Sequence, residues 1–197
     1  MPVEPVFQTA TLSDRYVAVL GSTPRQLTVM SSDRSLHSTD VGDGEPTASY
    51  WADLVAIPDG REVKLYQTGD PFRVTSIRAS APARHVSFSP SGHRIYIAHD
   101  DSSIEVFDRY GQDRLSTISL PGTPRRLRTD GSGRWLLAQA ESSDSAWIVD
   151  LATGRLTATI RTDWDTDLPT VAGGSTVLVR RDGDLVTLDL SRPNQPE

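Results

Sequence analysis

The residues of this 197-residue chain best suited to chemistry are four histidines and a few acidic loops. The histidines are His37, His85, His93 and His99, and Asp100 and Asp101 follow the last directly. A hairpin turning at Ser91–Gly92 would set His85 nearly opposite His99. Imidazole and carboxylate together suit zinc or iron, so a His-His-Asp site is conceivable. No ligand-spacing motif supports it, and polar side chains at a sheet edge account for the same residues. No metal is expected. The segment "DWDTDL" places Asp163, Asp165 and Asp167 at alternate positions, like the start of a calcium loop. Such a loop needs glycine in sixth place and glutamate in twelfth, where Leu168 and Gly174 stand instead. This segment and the acidic stretch Asp40–Glu45 therefore read as solvated loops. In "PRRLR", Pro124 to Arg128, strand geometry puts Arg126 and Arg128 on one face and Arg125 on the other. On a strand lining a channel these arginines could hold an anion. Ion pairing with neighbouring acids is the simpler role. No phosphate-binding loop, dinucleotide fingerprint or Gly-x-Ser-x-Gly elbow occurs, and no cofactor is expected. A serine–histidine–aspartate set assembled from distant loops stays open, because its order in the chain does not matter.

Composition narrows the classes further. The length allows one large domain or two small ones. A net charge of −6 and a pI near 5.2 argue against a nucleic-acid partner. Of 20 basic residues only Lys64 is a lysine. There is no cysteine, which removes disulfides, thiol nucleophiles and thiolate zinc sites. No apolar run approaches the roughly 18 residues of a membrane span, so no direct membrane insertion is expected. The opening "MPVEPVFQTATLSDRY" has neither the basic region nor the apolar stretch of a signal peptide.

The elements that must position these residues repeat. Apolar runs begin at Tyr16, Leu54, Ile95, Trp135 and Thr176, at intervals of 38, 41, 40 and 41 residues. A second series starts at Leu27, Val63, Ile104, Ala146 and Leu185. A third, "LHST", "FRVTSI", "LSTISL" and "LTATI", follows the first four units. The runs are short, rich in β-branched and aromatic residues, and bounded by Gly, Pro, Asp and Ser, which is the signature of strands. No segment carries helical periodicity. The expectation is all-β: a single β-propeller domain of about five four-stranded blades, near 7–39, 47–77, 84–120, 125–160 and 168–190, the last lacking its outer strand. Strands within a blade are labelled a to d. Runs such as "IYIA" and "WLLA" are apolar on both faces, as stacked blades require. Evenly spaced strands also fit a flat sandwich. Trp135 and Trp147 lie inside strands and are expected in the core.

Two units carry a family resemblance. "FSPSGHRIYIAHDDSSIEVFD", Phe88 to Asp108, and "DLATGRLTATI", Asp150 to Ile160, resemble the YVTN-type, lactonase-like propeller repeats. "LPGTPRRLRTDGSGRWLLA", Leu120 to Ala138, adds a Gly-x-Pro between blades. The resemblance covers roughly residues 84 to 160 and implies a propeller. It also implies a periplasmic or other extracytoplasmic setting, and it fixes no activity, since such repeats serve binding proteins and enzymes alike. Asp108, Asp150 and Asp189 end the c strands, where aspartate readily bonds the backbone of a following turn.

The functional expectation is a non-enzymatic platform for protein partners, an accessory subunit of a larger assembly. It would bind through the b–c and d–a loops or an exposed blade edge. Its protein-binding residues would be Trp51, Trp164, Asp163, Asp165, Asp167, Asp100 and Asp101. Trp51 and Trp164 are placed in or beside loops between units, where an exposed aromatic would anchor an interface. The alternative is a small-ligand-binding or lactonase-like hydrolytic propeller that uses the central channel. The ends pose a question of count. Either an N-terminal strand fills the place missing in the fifth unit and closes a ring, or the chain is an open arc. The closed ring is the preferred expectation.

Overall fold

The computed structural model describes residues 7–12, 16–22, 25–31, 36–51, 53–68, 72–142, 144–161, 175–181 and 183–192. Every regular element among them is a strand. Blade one consists of β1 (Phe7–Leu12), β2 (Tyr16–Ser22), β3 (Arg25–Ser31) and β4 (Leu36–Asp40). Blade two consists of β5 (Thr47–Ala48), β6 (Leu54–Asp59), β7 (Glu62–Gln67) and β8 (Arg73–Arg78). Blade three runs through β9 (Ala83–Phe88), β10 (Arg94–His99), β11 (Ser103–Asp108) and β12 (Arg114–Ser119). Blade four runs through β13 (Pro124–Thr129), β14 (Trp135–Ala140), β15 (Ser145–Asp150) and β16 (Arg155–Arg161). The fifth sheet contains β17 (Thr176–Arg181) and β18 (Asp184–Asp189). Each four-stranded sheet is an antiparallel meander in sequence order.

The apolar runs explain how these sheets stack. Side chains alternate faces along a strand, so a strand covered on both sides must be apolar throughout. In β10, Ile95 and Ile97 pack with Leu54, Ala56 and Leu65 of blade two. The intervening Tyr96 and Ala98 pack with Leu136, Ala138 and Trp147 of blade four. In β14 the pattern repeats one seam along, where Trp135 and Leu137 meet Leu188 and Leu190 beside the fifth sheet. In β6, Val55 and Ile57 meet Leu20, Leu27 and Val29 of blade one. Four apolar seams thus join five sheets in chain order, which is the architecture of a propeller and not of two facing layers. Trp135 and Trp147 are both buried in these seams, as expected.

The preferred ring closure is corrected. The N-terminal strand β1 pairs with β2 inside blade one, and the fifth sheet is the pair β17–β18. Among the described residues no ladder joins the first sheet to the last. The strand is needed as the inner strand of its own blade, so it cannot complete another. Among the described residues the sheets form an open arc.

The turns between strands a and b of blades two, three and four share a device that the spacing of apolar runs does not announce. Ser49 Oγ accepts the Leu54 amide at 3.2 Å, Ser89 Oγ the Arg94 amide at 3.0 Å, and Asp130 Oδ1 the Trp135 amide at 2.8 Å. A short polar side chain thus closes each corner five residues back from the amide it holds. Gly92 and Gly133 supply the positive φ these corners need in blades three and four, at 70° and 72°. Asp130 is fully buried and also takes the Ser132 amide and hydroxyl. Asp130→Ala should lower the unfolding free energy by about 1–3 kcal/mol, because buried amides lose their acceptor. Asp130→Ser should restore part of it, as serine does this work at positions 49 and 89. Urea denaturation checks both variants.

The aspartates ending the c strands behave as expected of turn residues. Asp108 accepts the amides of Gln112 and Asp113 at 2.7 and 3.1 Å. Asp150 accepts the Ala152 amide and Asp189 the Ser191 amide, both at 2.9 Å.

Candidate functional site

In an antiparallel meander the a–b and c–d turns lie at one end of every blade, and the b–c turns and d–a links at the other. This sorts the candidate residues by position. Trp51 lies in the a–b turn of blade two, between β5 and β6, and not in a link between units. It therefore faces the end opposite the b–c and d–a loops expected to meet partners. Asp100 and Asp101 do occupy a b–c turn, where Asp101 accepts the Ser103 hydroxyl at 2.5 Å. Trp51 and these aspartates cannot form one surface. Asp163, Trp164, Asp165 and Asp167 lie outside the described residues.

At its own end, Trp51 joins a cluster that sequence spacing does not bring together. Its indole stands edge-on to Tyr50, with centroids 5.0 Å apart and planes at 87°. Its Cδ1 lies 3.8 Å from where a Cβ on Gly92 would sit, and Arg109 Nη1 lies 3.3 Å from the same point. Trp51 and Arg109 thus both approach the a–b turn of blade three at Gly92. Arg109 then lies 5.7 Å from the centre of the Tyr110 ring, at the limit of a cation–π contact. Three turns from two blades converge here, and Tyr50, Trp51 and Tyr110 remain 74%, 62% and 61% exposed.

The charged groups beneath these rings are already committed. Asp53 ion-pairs with Arg109 Nη2 and accepts the Ser49 hydroxyl at 2.6 Å. Burial acts to raise the Asp53 pKa, but the Ser49 hydroxyl and the Arg109 guanidinium outweigh it and hold it below the ordinary value. An aspartate so held is a brace and not a proton acceptor poised for catalysis. It fixes the arginine and lets the aromatic faces project.

The other sequence candidates separate. His85 Nδ1 accepts the Leu127 amide of blade four at 3.3 Å. His99 is fully buried, its Nδ1 3.1 Å from the Ala81 carbonyl. That carbonyl can only accept, so Nδ1 carries the proton. His99 Nε2 sits 3.1 Å from Glu105 Oε2, off the direction of a good hydrogen bond. The two imidazoles thus serve opposite seams, one toward blade four and the other toward the link from blade two. Among the described residues no group of three His, Cys, Asp or Glu side chains could hold a metal. Arg126 makes the ion pair expected of the "PRRLR" segment: its Nε and Nη2 reach Glu45 at 3.2 and 3.1 Å. That fork bridges the inner strand of blade four to the segment leading into blade two.

The class of the molecule follows from these observations: it is a propeller-type stack of antiparallel blades, left open among the described residues. Comparison with solved structures agrees. The chain is similar to hydrazine synthase of Kuenenia stuttgartiensis, with a TM-score of 0.64 and 15% sequence identity over 86% of this chain. It spans 54%, about half, of that protein's chain. At this identity the likeness is one of fold. No family model and no curated protein matches the sequence. Among the described residues no helix is long and apolar enough to cross a membrane.

Proposed function

We propose that this chain is an open arc of YVTN-type propeller blades that acts as a protein-binding platform, an accessory part of a larger assembly. The observation that carries the reading is the exposed Tyr50–Trp51–Tyr110 cluster braced by Arg109 and Asp53. Tryptophan, tyrosine and arginine are the residues that dominate binding energy at protein interfaces. Here the Asp53–Arg109 ion pair and the Ser49–Asp53 hydrogen bond tie the turns beneath them, which lowers the freedom lost on binding. The binding end is that of the a–b and c–d turns of blades two and three.

A pull-down with the purified chain, followed by titration of the recovered partner, tests this. Trp51→Ala should weaken binding by about 30-fold or more, corresponding to about 2 kcal/mol at an interface anchor. Asp101→Ala, at the opposite end, should leave the affinity unchanged. Equal affinity of Trp51→Ala and wild type would remove the patch from the interface. A thermal-shift screen against lactones, sugars and metal ions tests the hydrolytic reading, since a bound ligand raises the midpoint by mass action.

A further inference from the structure

A large open cavity lies along the outer side of the seam between blades two and three. Its volume is about 540 Å³, and Arg61, Arg78, Ala79, Ser80, Glu105, Phe107 and Arg114 line it. Three arginines and one carboxylate residue line it, in a chain whose net charge is −6. Among the described residues, Arg61 and Arg78 pair with no acid. Arg78 stands opposite Glu62 in the β7–β8 ladder without closing an ion pair to it.

The single acid is itself used to build the site. Glu105 is 1% exposed, and its Oε1 accepts Arg114 Nη1 at 2.9 Å. Its Oε2 accepts the Ser80 amide at 3.2 Å, with the His99 ring behind it. The carboxylate therefore holds Arg114 through Nη1, and among the described residues no acid takes that guanidinium's other N–H groups at the cavity wall. Arg61 comes from the b–c turn of blade two and Arg78 from the end of β8, so the three cations approach from separate elements. A ligand meeting three guanidinium groups from three directions needs several acceptor oxygens and more than one negative charge. A tetrahedral phosphate dianion meets both needs. Phe107 supplies an apolar wall beside it.

We propose that this groove is a binding site for a phosphate dianion, free or as a phosphate ester. The proposal does not rest on the aromatic patch, none of whose residues lines the groove.

Isothermal titration with inorganic phosphate and with phenyl phosphate, at constant ionic strength against chloride, tests it. Wild type should bind saturably with one site, and its melting midpoint should rise with ligand. Arg61→Ala and Arg78→Ala should each weaken binding by about 3–10-fold, and the double variant should abolish measurable saturation. Arg84→Ala, which removes an equal charge from an arginine paired with Glu141 outside the groove, should leave the affinity unchanged. Tighter binding of phenyl phosphate assigns the site to an ester, and equal binding assigns it to the free anion. Absence of saturable binding in wild type overturns the proposal. So does an unchanged affinity in the double variant, whose fold is checked by circular dichroism since both arginines are exposed.

Discussion

Glu105→Ala is expected to lower the unfolding free energy by about 2–4 kcal/mol, because buried polar groups lose their partner at about 1–3 kcal/mol each. The carboxylate has three neighbours: His99, the Ser80 amide and Arg114. Arg114 can turn to water, because its side chain is 57% exposed. His99 cannot, being wholly enclosed, and the Ser80 amide loses its acceptor. The burden therefore falls on the buried part of the network. Replacing both members, as His99→Phe with Glu105→Leu, should cost less than the sum of the two single replacements, because neither buried side chain is then left facing a missing partner, although the Ser80 amide and the Ala81 carbonyl each lose one. A double-mutant cycle by urea denaturation measures the coupling. Simple additivity of the two single variants would show that the pair does not interact.

The same group sets a pH dependence. Burial acts to raise the Glu105 pKa, but the hydrogen bonds from Arg114 and Ser80 and the nearby His99 outweigh it, so it lies below its ordinary value of 4.5. A depressed carboxyl pKa gives stability that is fully present above the unfolded value. That stability is lost as pH falls through the folded value. Between about pH 5 and pH 3 wild type should lose stability faster than Glu105→Gln, which has no proton to gain there. Parallel urea midpoints for the two proteins across that window would contradict the assignment.

Trp147→Ala is the second large effect, expected at about 3–5 kcal/mol for deletion of a buried indole. Trp147 pairs with Ala138 on β14 and Thr159 on β16, and its ring fills the seam with Tyr96, Ile118 and Leu120 of blade three. A Cβ added to Gly122 would sit 3.3 Å from the ring, so the glycine of the inter-blade Gly-x-Pro lets the link pass close over it. In a domain of this size the loss should lower the melting midpoint by roughly 6–20 °C. Trp51→Ala, by contrast, should change stability by no more than about 0.5 kcal/mol, because its ring projects into solvent. Calorimetry on the two variants thus separates a tryptophan that joins blades from one available to a partner. A small shift for Trp147→Ala would mean that the seam does not bear the fold.

Much of this architecture is legible in the residues because strand periodicity is a local property. "IYIA" and "WLLA" are apolar at every position, and that alone requires cover on both faces. The spacing of Gly92 and Gly133 marks equivalent corners, since each turn needs a positive φ that few other residues supply. Asp108, Asp150 and Asp189 bond their own turns, within reach of a few residues. All of these are dictated within one blade, by alternation and turn chemistry.

The site is not legible in this way, because it is built between blades. Period-two alternation tells which face a side chain occupies, but not which turn of the next blade it meets. Trp51 reads as part of a link between units because β5 is only two residues long and leaves no apolar run to announce it. Arg109 is paired with Asp53 across 56 residues, and Arg126 with Glu45 across 81. His85 and His99, neighbours by hairpin arithmetic, serve opposite seams. Whether β1 closes a ring or completes its own blade is likewise a choice between two ladders with the same local pattern. The amino-acid sequence by itself determined the blades, their corners and their two-sided cores, because those follow from short-range sterics and alternation. Only the tertiary structure decided which aromatics share a surface, which charges are paired and that the arc stays open among the described residues, because stacking brings together side chains that no local rule relates.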